Sequence, residues 1–334
     1  MAGKSGLLVG VDIGGTKTAV VIGTASAKGL GIMARRAFPT EPDVRPWRET
    51  VKTIGEEARA LLEHEAPGVP AAVGVSCGGP LDSRAGVLLS PPNLPGWDRV
   101  PIVDELQKAL GCAAFLQNDA NACALAEWRY GAGRGSRNMV FLTFGTGMGA
   151  GLILGGRLYE GTSDLGGEVG HIRLAEDGPE GYGKRGSFEG FCSSGGIARL
   201  ARAEAAKALA AGRRVSFCHS DDSLGSITAK SVGDAAEAGD PVALEVLATT
   251  GRYLGRGCAM LMDILNPQRI VIGSIFIRCR RFLVPAMDSE IAREALPGSA
   301  RVCDVVPATL GESIGDHACL SVAVDGLARE TEGR

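Results

Sequence analysis

No two cysteines of this 334-residue chain stand close enough to form a C-x-x-C pair. The nine are scattered at 77, 112, 123, 192, 218, 258, 279, 303 and 319, and their total is odd. That pattern argues against a disulfide framework and predicts reduced, mostly buried thiols in a cytoplasmic protein. Also missing is any apolar run approaching the roughly 20 residues of a membrane helix, or a charged-then-apolar leader. No membrane partner is expected. Basic residues are not gathered either: the net charge is −3, the pI about 5.9, and the only dense basic cluster is Arg278-Cys279-Arg280-Arg281. Nucleic acid is therefore not an expected partner, and the first strand-like run, near residue 6, leaves no room for a leading helix-turn-helix. Glycine-rich phosphate loops of the Walker type and the dinucleotide G-x-G-x-x-G in a strand-to-helix setting are absent as well.

What is present is enough apolar sequence, 45%, for one large core or two ordinary ones, with charged residues at 22%. A two-domain soluble enzyme is expected. "LLVGVDIGG" (7 to 15), "TAVVIGT" (18 to 24) and "LGIMARRAFPT" (30 to 40) are β-rich runs separated by glycine turns, an antiparallel meander. Helical spacing follows at 45 to 66 and 103 to 110, with short strands at 71 to 77 and 113 to 117 and a long helix from Asp119 to about Tyr130. "NMVFLTFGTGMGAGLILGGRLYEG" (138 to 161) repeats the opening plan of strand, glycine-threonine turn and strand. Helices at about 195 to 211 and 229 to 265, a strand at 269 to 274, another helix, a strand at 301 to 308 and a terminal helix near 314 to 328 complete the second half. The reading is two similar α/β halves facing each other across a cleft.

Gly14 and Gly15 permit a tight turn whose N–H groups can face an anion, with Thr16 and Lys17 as further donors. The same residues also suit a plain hairpin turn, and Lys17 a solvated one. Gly145, Thr146 and Gly147 form a second such turn in the other half, and two turns converging on one cleft would hold a polyphosphate from both sides. Asp12 beside the first turn suits magnesium, directly or through water, or else an Asx turn. Asn118 and Asp119 stand at a strand-to-helix junction on the cleft edge. There Asp119 is either a helix cap or the base that accepts a substrate hydroxyl proton, a weak base because a helix N-terminus lowers a carboxylate's pKa.

With these segments in view the sequence resembles the ROK family, the repressor, open-reading-frame and sugar-kinase group within the actin-like ATPase superfold. "VGVDIGGTKTAVVIG" resembles its first phosphate motif, "FLTFGTGMGAGLILGGRLYEG" the second, "QNDANACALAE" the catalytic segment, "LGGEVGHI" the sugar-binding turn, and "SPPNLPGW" a further sugar-contacting segment. The resemblance implies a duplicated α/β fold of the ribonuclease H-like, actin-like ATPase class with a central cleft. Its smaller domain would span 1–118 plus about 313–330, and its larger domain 119–312. It implies Asp119 as general base, Asn93, Asn118, Asp119, Glu168, His171 and Glu189 as sugar ligands, and ATP with Mg²⁺ as cofactors. Nucleotide contacts would come from Asp12, Gly14, Gly15, Thr16, Lys17, Gly145, Thr146, Gly147 and Gly273, with Asp12 toward the magnesium. A homodimer and a hexose substrate follow by the same resemblance: glucose first, with fructose, allose, mannose or an N-acetylhexosamine as alternatives. A sugar-responsive repressor and a non-catalytic sugar-binding protein are the rival readings.

Two departures from the family pattern carry expectations of their own. In the family the loop after the histidine of "LGGEVGHI" carries three cysteines that bind zinc with it. Here those positions are Glu180, Tyr182 and Ser187, a poor tetrahedral set with His171, so no structural zinc is expected. In "IVIGSIFIRC" (270 to 279) only Gly273 remains of the family's successive glycines. Either Ser274 and Ile275 narrow the adenosine pocket, or the backbone turn survives without the extra glycines.

Overall fold

Two sheets of one plan organise the chain, a computed structural model describing residues 6–26 and 29–332. Residues 1–5, on which the expected lack of a leading DNA-binding segment turns, lie outside the described residues. In the first sheet Gly6–Ile13 (β1), Lys17–Ser26 (β2) and Gly29–Pro39 (β3) form an antiparallel meander. Ala72–Cys77 (β4) and Ala113–Asn118 (β5) extend it in parallel beyond β1, giving the order β3-β2-β1-β4-β5. Met139–Leu142 (β6), Ala150–Leu154 (β7), Arg157–Tyr159 (β8), Arg269–Ile272 (β9) and Asp304–Pro307 (β10) repeat that order as β8-β7-β6-β9-β10. Two copies of one supersecondary plan thus face each other, and the fold is the actin-like α/β class expected.

The helices are Trp47–Glu65 (α1), Ile102–Leu110 (α2), Asp119–Tyr130 (α3), Phe188–Phe191 (α4), Ser194–Ala210 (α5), Ala229–Glu237 (α6), Pro241–Leu265 (α7), Ile275–Glu294 (α8), Pro297–Arg301 (α9) and Ile314–Glu332 (α10). Side chains alternate across a strand, so Val9, Val11 and Ile13 of β1 pack with Val51 and Ile54 of α1 and Leu106 of α2. Leu8, one pleat over, packs with Leu320 and Ala323 of α10. The second sheet does the same: Val140, Leu142, Ile270 and Ile272 meet α5, α7 and α8, while Met139, Phe141 and Val271 meet α3 and α10. Helices α3 and α10 are thereby the layer between the sheets. A Cβ on Gly74 would overlap the Cys319 carbonyl of α10, and one on Gly151 the Ala120 carbonyl of α3. Glycine at these points lets helix backbone lie directly on the sheet.

Two expectations need correction here. The helix expected over 229 to 265 breaks into α6 and α7, because Gly239 takes φ 84, Asp240 caps the next helix through Val242 and Ala243, and Pro241 supplies its first turn. The strand expected over 301 to 308 shrinks to Asp304–Pro307, since Pro297–Arg301 forms a helical turn before it. Among the described residues no helix is long and apolar enough to cross a membrane.

Candidate active site

Between β1 and β2 the chain reverses through Gly14, Gly15 and Thr16: the Gly14 N–H donates to the Lys17 carbonyl at 3.0 Å, and Thr40 Oγ1 donates to the Gly14 carbonyl at 2.6 Å. Thr16 and Lys17 leave their side chains exposed. Gly15 lies against the backbone of Asn93, so closely that a Cβ would overlap the Asn93 carbonyl. The "NLPGW" segment is drawn there because Leu94 and Trp97 bury themselves in the first core, both 1% exposed, leaving Asn93 exposed just ahead of Leu94. The Asn93 amide then stands beside Gly78, and the Asn118 amide beside Gly79.

The second turn joins β6 to β7 through Phe144 to Gly149. Thr143 Oγ1 accepts from the Gly149 N–H at 2.8 Å, and the Gly145 N–H donates to the Gly147 carbonyl at 3.2 Å. Glu189 Oε2 accepts from the Met148 N–H at 3.1 Å, which ties one expected sugar ligand to this turn.

At the end of β5 the expected roles shift by one residue. Asn118, not Asp119, is the N-cap of α3, its Oδ1 accepting from the Ala120 N–H at 2.9 Å. Asp119 is the first helical residue and shares that N–H at 2.8 Å. The expected lowering of its pKa is also overturned. Asp119 is exposed to the cleft, yet the protein on both sides of the cleft strips enough solvation to raise its pKa, against the lowering by backbone N–H groups. Asp12 is pushed up to about 6, first by burial, then by the neighbouring Asp119 and Asp316 carboxylates, against the pull of Lys17 and Arg35. Glu168, open to the cleft, is raised by desolvation and by Asp119 and Glu189, with His171 opposing.

Such mutually repelling carboxylates attract a cation. Among the described residues no group of three or more His, Cys, Asp or Glu is arranged to hold a metal ion. The donor set fits magnesium, which takes one or two carboxylates and completes its shell with phosphate and water. It does not fit zinc. Ser187 is buried and its hydroxyl caps α4 by accepting from the Gly190 N–H at 3.0 Å, Tyr182 stands 78% exposed, and Glu180 is exposed on a short ribbon. That ribbon, Glu180–Gly181 against Lys184–Arg185, is held by hydrogen bonds: Lys184 Nζ donates to the His171 carbonyl at 2.7 Å, and Arg185 pairs with Asp177.

Two adjoining cavities of about 380 and 540 Å³ share Asn118, Met148, Asp164, Glu168 and Glu189. Asp119, Thr143, Gly145, Thr146 and Gly147 line the smaller; Pro80, Pro92, Leu165, His171 and Tyr182 line the larger. Of the expected site residues, these cavities bring together Asn118, Asp119, Gly145, Thr146, Gly147, Glu168, His171 and Glu189. Asp12, Gly14, Gly15, Thr16, Lys17, Asn93 and Gly273 are not in their walls, although the Asp119 carboxylate acts electrostatically on Asp12 and Asn93 abuts the first turn.

Gly273 sits beyond the second turn, its N–H bonded to the Leu142 carbonyl at 3.0 Å. The next residue, Ser274, adopts φ 55, so the turn keeps a glycine-like backbone with a serine in it. There a third cavity of about 380 Å³ is lined by Ser194, Thr228, Lys230, Asp234, Ile275 and Arg278 among others. It is joined to the second turn by the Ser194 N–H, which donates to the Gly145 carbonyl at 2.8 Å. Sequence reasoning missed these polar residues, as it missed Asp164 and the Arg35–Asp316 ion pair at 2.9 Å. Asp164's only local signal is its place between Gly161 and Gly166-Gly167.

The pattern of the ROK family matches residues 8–321. A glucokinase of Thermotoga maritima is 33% identical over 309 residues, covering 92% of this chain and 94% of that protein. A glucokinase of Streptomyces coelicolor is 30% identical over 329 residues, 98% and 99% of the two chains. Among solved structures, a ROK family glucokinase from Streptomyces griseus in complex with glucose and AMPPNP superposes with a TM-score of 0.71 at 29% identity, covering 96% of this chain and all of that one.

Proposed function

The chain belongs to the ROK family and is a sugar kinase, and from that premise we propose that it transfers the γ-phosphoryl group of ATP to a hydroxyl of glucose. One observation carries the reading: Asp119, with its pKa raised, stands at the meeting of the second glycine turn and a cavity walled by Asn118, Glu168 and Glu189.

In this reading Asn93, Asn118, Glu168, His171 and Glu189 take the sugar hydroxyls. Amide, carboxylate and imidazole groups together match hydroxyls that both donate and accept. Left unmatched, such groups are desolvated without partners, which selects against a sugar of the wrong stereochemistry. In the turns at Gly14 to Lys17 and Gly145 to Gly147 the N–H groups other than those of Gly14 and Gly145, which bond within their own turns, would meet the phosphates, and the cavity beside Gly273 takes the nucleoside. Asp12 would hold magnesium, which would supply neutralisation of the phosphate charge. Asp119 accepts the hydroxyl proton as the sugar oxygen bonds to the γ-phosphorus. The bond from that phosphorus to the bridging oxygen breaks, and the electron pair leaves with ADP. The raised pKa makes Asp119 a stronger base than an ordinary aspartate, while a loose transition state asks for proton removal only late.

Replacing Asp119 by Asn tests this. Turnover should fall by roughly 10²- to 10⁴-fold, the usual contribution of a general base, with glucose affinity by calorimetry changed little. Retained turnover would remove Asp119 from the chemistry. Tight sugar binding with no turnover in the unsubstituted protein, whatever the nucleotide, would make it a sugar-binding protein instead.

A further inference from the structure

Asp164 lies in the wall of both cleft cavities, on the second-sheet side, yet it is bonded to the first half. Its Oδ2 accepts from the Ser83 N–H at 2.9 Å and its Oδ1 from the Ser83 hydroxyl at 2.7 Å. Ser83 sits in the turn between Leu81–Asp82 and Val87–Leu88, a small ribbon of the first half whose Leu81 and preceding Pro80 line the larger cavity. Both oxygens of one carboxylate therefore meet two donors of one residue, which fixes orientation as well as distance.

The backbone at Asp164 is in the left-handed region, φ 58, where glycine is the ordinary occupant and aspartate is tolerated. A non-glycine residue held there while bridging the two sides of a cleft points to function. The segment around it is closed on itself: the Gly166 N–H donates to the Glu160 carbonyl at 2.9 Å, and the Ala150 N–H to the Gly167 carbonyl at 2.9 Å. Its start is tied down separately, Glu160 taking hydrogen bonds from Gln117 of β5 and from Arg329 of α10, the latter at 2.8 Å. Little slack remains between Asp164 and Glu168, so the position of one is passed to the other.

We propose that Asp164 is a positioning residue: its paired hydrogen bonds to Ser83 latch the cleft across its mouth and hold the Glu168 wall in register with Asn118 for the sugar. The inference rests on the sugar-kinase reading above. Asp164→Gly removes the carboxylate while keeping the backbone relaxed. It should raise the KM for sugar about tenfold, the scale of a lost charge-assisted hydrogen bond, with kcat within about twofold and the KM for ATP unchanged. Asp164→Asn should fall between, and Ser83→Ala, which keeps its N–H, should do less. The double variant Ser83→Ala, Asp164→Gly should be no worse than Asp164→Gly alone. In the sugar-free protein the Ser83 amide should exchange its hydrogen faster in Asp164→Gly than in the parent. A drop in kcat at constant KM, multiplying effects in the double variant, or unchanged Ser83 exchange would each overturn the latch. If the parent phosphorylates no sugar, the sugar-kinase reading fails by itself, and the amide exchange still decides whether the latch exists.

Discussion

Asp12→Asn should stabilise the ligand-free protein while removing its activity. The carboxylate's pKa rises from 3.8 to about 6 on folding, so the folded state holds the proton more tightly than the unfolded chain does. Above pH 6 the ionised group therefore opposes folding. At about 1.4 kcal/mol per pKa unit the penalty is roughly 3 kcal/mol, which water in the cleft screens to about 2 to 3 kcal/mol. The penalty shrinks as pH falls from about 6 toward 4 and vanishes where both states are protonated. An unfolding entropy of about 2.1 cal/mol/K per residue over 334 residues is about 0.7 kcal/mol/K, so the gain corresponds to about 3 to 4 °C in Tm. Thermal unfolding of both proteins without ligands, at pH 7.5 and pH 4, measures it. No gain at pH 7.5, or the same gain at pH 4, would refute the electrostatic account of Asp12.

Because burial pushes Asp12 up to about 6 and raises Asp119 above the ordinary carboxylate range, kcat/KM should fall on the acid side above pH 4.5; a limb at or below pH 4.5 contradicts that assignment. The loop at 178–189 should carry no zinc: elemental analysis of the purified protein should find none, chelators should leave Tm unchanged, and one zinc per chain would contradict the fit of Ser187 as a cap. Ser187→Ala should destabilise by about 1 kcal/mol, the worth of an N-cap side chain, measured by denaturant unfolding. Gly74→Ala drives a methyl group into the Cys319 carbonyl and should destabilise by about 3 kcal/mol; a neutral result would mean that α10 does not lie on β4 as described.

The repeated strand-turn-strand plan was readable in the sequence because its signals are local: alternating apolar residues and glycines at the reversals around 14 and 147. The boundaries that were misplaced involve competition between neighbours. Asp240 and Pro241 start a new helix inside what reads as one periodic stretch, and Asn118 outcompetes Asp119 for the cap by standing just outside the first turn. The pKa of Asp119 is misread in sign because the helix terminus is visible in the sequence, whereas the desolvation that outweighs it comes from the folded walls of the cleft, which no single segment shows. Ser83 and Asp164 are 81 residues apart, and the cavity beside Gly273 draws on α6, α8 and the start of α5, so neither leaves a pattern in any one segment. The residues that meet in the cleft cavities were legible for the opposite reason: Asn118-Asp119 and the Glu168 to His171 turn each lie in one short segment.

The most direct test of the central claim is a coupled assay of ADP release with Mg-ATP against a panel of hexoses and N-acetylhexosamines. The account predicts sugar-dependent release with the highest kcat/KM for glucose and a matching yield of hexose phosphate. No sugar-dependent release across the panel would contradict the kinase, and release concentrated on an N-acetylhexosamine would keep the kinase and overturn glucose as its substrate.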